Sequence, residues 1–379
     1  RALGDTVSKL GDRILPTVMP YMSRGLLSED AGMRQGVCLG LAEILNSSSK
    51  RQIEDYVDVL VPALQQGFCD PSENVRKQAA KAFQTLFKAI GQQAINTIVP
   101  ALMIKIKSVC ADTEAQAESD TALLGLRELL GARPRDVIEF IAPAALRSPM
   151  TSHGCYVLGG LASVSGKMLQ FHVTLLVTSF VREMTRLDTL QDNGDEAAAA
   201  MLVEVKDCAS KCMGALTTES VNILMQELAK QVDHDEFKES RRWGSYLAEQ
   251  FVKGSTADYR DYLPLLLKGQ LSRVAETWTP LLDAVRCCLS AIAEKVPMDR
   301  LLMQLDFIRS CIASTASDAK FRFGGEVLLN EDGQLELPLL SLPKALDPFL
   351  AIYNYGLVNG SPEKREACAD AMGEIFKMT

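Results

Sequence analysis

The sequence predicts an all-α fold of helix pairs stacked side by side, and three observations predict it. Apolar residues fall repeatedly at i, i+3, i+4 and i+7, the spacing of one buried helix face. A proline returns at one phase of that pattern at a nearly constant interval. Helix start signals stand between successive apolar stripes. Composition agrees: 47% of the 379 residues are hydrophobic but only 6% aromatic, which suits helices packed closely on helices.

The elements follow in order. Leu15, Val18, Met19 and Met22 surround Pro20, and Val37, Leu41, Ile44 and Leu45 make the next stripe. Val57, Leu60, Val61 and Leu64 hold the same offsets around Pro62. Asp70-Pro71-Ser72-Glu73 then predicts a helix start, with Asp as N-cap, Pro at N1 and Glu at N3. Its stripe is Ala79, Ala82, Phe83, Leu86, Phe87 and Ile90. Ile95, Ile98, Val99 and Leu102 surround Pro100; Pro143 marks the next unit, and Thr178, Gln226 and Met303 fill the phase where proline is missing. Tyr259, Tyr262, Leu263 and Leu266 surround Pro264, and Pro348 marks the last first helix. Ser361-Pro362 starts its partner, with Cys368, Ala371, Met372, Ile375 and Phe376 as the stripe. The proline phase averages about 41 residues, the period of HEAT and armadillo repeats, so the expected fold is an α-solenoid of about nine helix pairs. Residues 1–379 are expected to form a single continuous array. Both ends fall within helical patterns, so the chain reads as a piece of a longer protein.

Two stretches interrupt the period. Residues 188–196 read as an acidic, turn-rich loop between helices. Residues 314–343 read as an irregular insertion, in which 326–329 and 334–337 flank Asn330-Glu331-Asp332-Gly333 as a short β-hairpin.

Composition argues against several functions. The net charge of −8 disfavours general nucleic-acid binding. No run of about 18 uncharged apolar residues suggests a membrane span. Ten cysteines lie mostly on apolar stripes without a C-x-x-C pair; Cys208 and Cys212, one turn apart, read as core. Reduced buried thiols point to the cytosol or nucleus. The three histidines are scattered, and no zinc-hydrolase, nucleophile-elbow or phosphate-loop sequence occurs. No enzyme activity and no cofactor are therefore expected.

One charge constellation stands out, in the helix predicted over 237–253. At 100° per residue, Phe237, Ser240, Gly244, Leu247, Ala248 and Phe251 share the core face. Lys238, Arg242, Tyr246, Glu249 and Lys253 gather opposite, with Arg242 and Lys253 in register. Arg241 lies nearer the core edge. A second helix of a pair lines the concave side of such arrays, and arginine beside an aromatic with a polar tip is a composition common at binding hot spots. The expected partner presents carboxylates, which arginine grips in bidentate fashion.

Residues 10–26 (LGDRILPTVMPYMSRGL), 32–45 (GMRQGVCLGLAEIL) and 70–87 (DPSENVRKQAAKAFQTLF) together resemble a known family. This is the large ribosome-associated HEAT protein family of the general amino-acid control pathway. Its members activate the starvation-sensing kinase that phosphorylates the α subunit of translation initiation factor two. The resemblance covers the whole chain and points to the segment that binds RWD domains. It implies a cytoplasmic, non-enzymatic scaffold that docks the RWD domain of that kinase and other RWD-containing proteins, and meets the ribosome through the full-length protein. It also implies an arginine needed for kinase binding. Arg242 with Lys253 fits that pattern best, with Arg241 the adjacent alternative and Lys238 and Tyr246 beside them. The rival reading is a HEAT segment that touches the ribosome or its RNA without binding RWD domains.

Overall fold

A computed structural model describes residues 15–106, 113–232, 237–274, 278–322, 328–329, 335–336 and 342–378. The chain divides into two compact units, Arg1–Met168 and Leu169–Thr379. The first holds α1 (Leu15–Leu26), α2 (Ala31–Ser47), α3 (Lys50–Asp55), α4 (Val57–Phe68), α5 (Glu73–Ile90), α6 (Gln92–Lys105), α7 (Thr113–Ala132), α8 (Pro134–Ala145) and α9 (Ser152–Leu169). The second holds α10 (Val173–Asp192), α11 (Glu196–Ala215), α12 (Val221–Val232), α13 (Lys238–Gly254), α14 (Leu263–Leu271), α15 (Thr279–Lys295), α16 (Met298–Met303) and α17 (Leu305–Arg322). Strands β1 (Leu328–Leu329) and β2 (Leu335–Glu336) follow, then α18 (Leu342–Asn359) and α19 (Pro362–Met378).

In each unit the helices alternate between two layers. In the first, α1, α4, α6 and α8 pack side by side, as do α2, α5 and α7. In the second, α10, α12, α14 and α17 form one layer and α11, α13, α15 and α18 the other. Ile95, Ile98, Val99 and Leu102 of α6 and Ala79, Ala82, Phe83 and Leu86 of α5 are fully buried, so the apolar stripes are the core. This is the HEAT-type α-solenoid class. Among the described residues, one helical stretch, 152–192, is long and apolar enough to cross a membrane, but it is split between α9 and α10, whose Val157, Leu161, Leu176 and Phe180 are also core.

Four local readings change. Asp70 is not an N-cap: α5 starts one residue after Ser72, and Asp70 instead accepts the Ser72 N–H (2.8 Å) and the Arg34 guanidinium (2.6 and 3.0 Å). Arg76 donates to the Asp70 and Pro71 carbonyls, both at 2.8 Å. Residues 188–192 are helical, and the turn is confined to 193–195, with Gly194 at φ +89° and Asp195 capping α11. The irregular stretch is shorter than 314–343, because α17 runs on to Arg322 and buries Thr315, whose hydroxyl bonds the Leu271 carbonyl at 3.1 Å. Within it, β1 and β2 pair antiparallel, Leu328 opposite Glu336 and Leu329 opposite Leu335, inside the two segments expected for the hairpin. Finally, the Pro348 helix, α18, does not continue the first-helix layer. It lies beside α15, because α17 already occupies the first-layer place next to α14.

Gly125 of α7 is where two backbones meet. A Cβ there would come within 2.2 Å of the Phe68 carbonyl oxygen at the end of α4. A backbone carbonyl cannot rotate away as a side chain can. Gly125→Ala should therefore destabilise the first unit by about 1–3 kcal/mol, the usual range for overpacking. An unchanged melting temperature would contradict this close approach.

Candidate partner-binding site

Helix α13 is the only one that carries all five sequence-predicted site residues. It has no side-chain N-cap: Phe237 occupies that position, 53% exposed rather than in the core, because it precedes the first helical turn. The helix buries Trp243, Leu247, Ala248, Phe251 and Val252. Since α11 and α15 flank it within its layer, its sides are covered as well as its base. That corrects the expected free face opposite Leu247 and Phe251. Lys238 and Lys253 are exposed, but Arg241, Arg242 and Tyr246 are half-buried and Glu249 is buried.

Arg242 donates to the Asp188 carboxylate of α10 at 2.6 Å, and the two side chains are only 25 and 13% exposed. Its guanidinium carbon also stands 4.3 Å from the ring centre of Trp243 and 5.9 Å from that of Trp278. Trp278 immediately precedes α15, and Lys238 lies over it at 4.8 Å. From α11, Lys206 reaches Trp243 at 5.0 Å and Tyr246 at 5.9 Å. Trp243 and Tyr246 meet edge to face, 5.7 Å between centroids. Both tryptophans of the chain thus carry cations on their faces, where the ring quadrupole attracts positive charge.

The charges around this cluster are unequal. Arg242 pairs with Asp188, which also acts on Lys206, and Lys238 stands 4.0 Å from Glu239 of its own helix. Burial pushes Asp188 above the usual carboxylate range, with Arg242 opposing. Burial, and next Arg242, lowers Lys206, with Asp188 pulling the other way. Two half-buried cations therefore share one carboxylate, and a second would relieve the repulsion between them. Burial, with Glu249 and Asp207 close by, pushes the Tyr246 phenol up to about 12, so it stays a neutral hydroxyl.

The structure brings Lys238, Arg242 and Tyr246 together and leaves Lys253 apart. Eleven residues of helix separate Lys253 from Arg242 by about 16 Å, and Lys253 is paired with Glu249 at 2.6 Å. Arg241 is half-buried beside the cluster. Sequence reasoning missed Trp243, Trp278, Lys206 and Asp188. One signal was available: both tryptophans flank the cationic stretch, one inside the predicted helix and one before the next second helix.

The fold is that of a helical-repeat scaffold, with a cluster of cations and aromatic rings on and beside α13. The chain belongs to the GCN1-like family of stalled-ribosome sensors: the family described as "Stalled ribosome sensor GCN1-like, HEAT repeats" matches residues 2–128 and 137–344. It is 28% identical over 380 residues to the human protein named Stalled ribosome sensor GCN1, covering 100% of this chain and 13% of that protein. It is also 28% identical over 381 residues to the Dictyostelium discoideum eIF-2-alpha kinase activator GCN1, and 22% over 380 residues to that of Saccharomyces cerevisiae; each match covers 100% of this chain and 13% of the relative. The chain thus spans about 13% of the length of these curated relatives.

Proposed function

We propose that this chain is a non-enzymatic docking segment that binds the RWD domain of the starvation-sensing initiation-factor kinase, and of other RWD-containing proteins, through the cluster on α13. The observation that carries the reading is the cluster of three cations over two tryptophans, with Asp188 and Glu239 as the ion-pair partners of Arg242 and Lys238. Trp243 is buried, but half-buried Tyr246 and Trp278 leave some aromatic area beside exposed Lys238, so the complement is a partner face bearing carboxylates. Two of the relatives are named as kinase activators, which supports this choice of partner. In the full-length protein the units would continue as one array that carries the kinase to ribosomes in the cytoplasm.

Arg242→Glu should weaken binding to an isolated RWD domain by about 2–5 kcal/mol, the range for truncating a buried, hydrogen-bonded charge. Because Arg242 is also tied to Asp188, this variant should lose stability as well. Lys238→Glu provides the cleaner readout: the residue is exposed, so the melting temperature should hold while binding falls and the association rate drops. Lys253→Glu should have the smaller effect, since Glu249 already neutralises it. Titration calorimetry on the parent and the three variants tests the set. If the parent fails to bind, or Lys238→Glu and Arg242→Glu both bind as the parent does, the reading fails. Binding to RNA with a steep salt dependence would favour the ribosome-contacting rival instead.

A further inference from the structure

We infer that the loop ends beside α14 and α16 form a second docking cleft, which takes an extended acidic segment of another protein with an aliphatic side chain between its carboxylates. The cleft, about 370 Å³, is bounded by Ala257, Tyr259, Leu263, Val296, Pro297 and Met303 on its apolar side. Leu263 and Val296 are buried and form its floor, while Met303, a large apolar side chain, stands 70% exposed at the rim. Arg260, Lys295 and Arg300 line the same cleft, against one carboxylate, Asp258.

Arg260 is committed to Asp258, with its Nε 2.7 and 2.9 Å from the two carboxylate oxygens. That pairing holds Asp258 down to about 2, so it stays ionised and keeps Arg260 in place. Lys295 and Arg300 are both exposed, and Arg300 adds a longer-range pull on Asp258. Two further carboxylates lie nearby without lining the cleft: Asp261 acts on Arg260, and Asp299 accepts from the Tyr355 hydroxyl at 3.3 Å. Three cations against one carboxylate give this cleft a net positive lining on a chain of net charge −8. The floor suits an aliphatic side chain and the cations suit flanking carboxylates. A nucleic acid would match the cations but leave the apolar floor unfilled, since its affinity comes from phosphate neutralisation.

The cleft is separate from the cluster on α13, so the two can fail independently. The test is fluorescence anisotropy of the whole chain with a labelled Asp-Glu-Leu-Glu-Asp peptide, its neutral Asn-Gln-Leu-Gln-Asn counterpart, an Asp-Glu-Ser-Glu-Asp version, and a single-stranded RNA oligomer. The acidic leucine peptide should bind saturably and the neutral one should not. Serine in place of leucine should weaken binding about fivefold or more. Arg300→Glu and Lys295→Glu should each weaken it about tenfold or more, with unchanged melting temperatures. Lys238→Glu, in the kinase-docking cluster, should leave peptide binding as it is. Equal binding of the acidic and neutral peptides, equal binding by Arg300→Glu and the parent, or tighter binding of the RNA oligomer would each overturn the inference.

Discussion

Arg34→Met should destabilise the first unit by about 3–5 kcal/mol, because it removes one half of a buried ion pair. Arg34 of α2 and Asp70, just before α5, are only 13 and 7% exposed, and the guanidinium grips the carboxylate through two nitrogens. Arg34 also donates to the Ser28 and Glu29 carbonyls, both at 2.9 Å. The variant therefore leaves a buried carboxylate with only the Ser72 N–H, and two carbonyls without a donor. Methionine keeps the aliphatic stem, so lost packing is a small part of the effect. Repeat proteins unfold by units as well as globally, so the loss should be read as faster amide exchange in α2 and α5 together with a lower urea midpoint. The double variant Arg34→Met, Asp70→Leu should recover part of the stability, since it removes the orphaned charge. A drop below about 1 kcal/mol for the single variant would put the pair in the class of exposed salt bridges.

Trp243→Ala should cost about 3–5 kcal/mol in the second unit, the range for truncating a buried tryptophan. Its indole is 1% exposed and is the largest fully buried side chain of the chain. It is also the surface on which Arg242 and Lys206 rest, and the ring against which Tyr246 sets its edge. Removing it should therefore disperse the cluster and lower RWD binding in the residual folded protein. Trp243→Phe separates the two roles. It keeps a ring for the cations and much of the core volume, so it should lose less stability and retain most of the binding. A tryptophan-to-alanine variant that melts like the parent would mean that α13 is not anchored here.

What could be read before the structure was the part governed by a single helix at a time. The face Ala79, Ala82, Phe83 and Leu86 is spaced to lie on one side of a helix whatever its neighbours, and in the structure all four are buried. The same logic grouped Lys238, Arg242 and Tyr246, which lie around the Trp243 and Trp278 rings. It failed for Phe237, because a wheel assumes helical geometry at a residue that precedes the helix. It also failed for Glu249, because a wheel shows which side a residue faces but not what covers that side. Asp70 looked like a cap because an acid before proline so often is one. Its use by an arginine 36 residues earlier depends on how two helix pairs stack.

The sequence by itself thus determined the repeat, the period and the stripe that each helix must bury, since these follow from local spacing and from the need to remove apolar surface from water. Tertiary structure alone decided which charges are partnered. Asp188 lies 54 residues from Arg242, and Lys206 and Trp278 come from two other parts of the second unit. Their meeting depends on the offset between neighbouring helices, a packing quantity that no single helix encodes. The same packing placed the Pro348 helix beside α15 rather than in the first-helix layer.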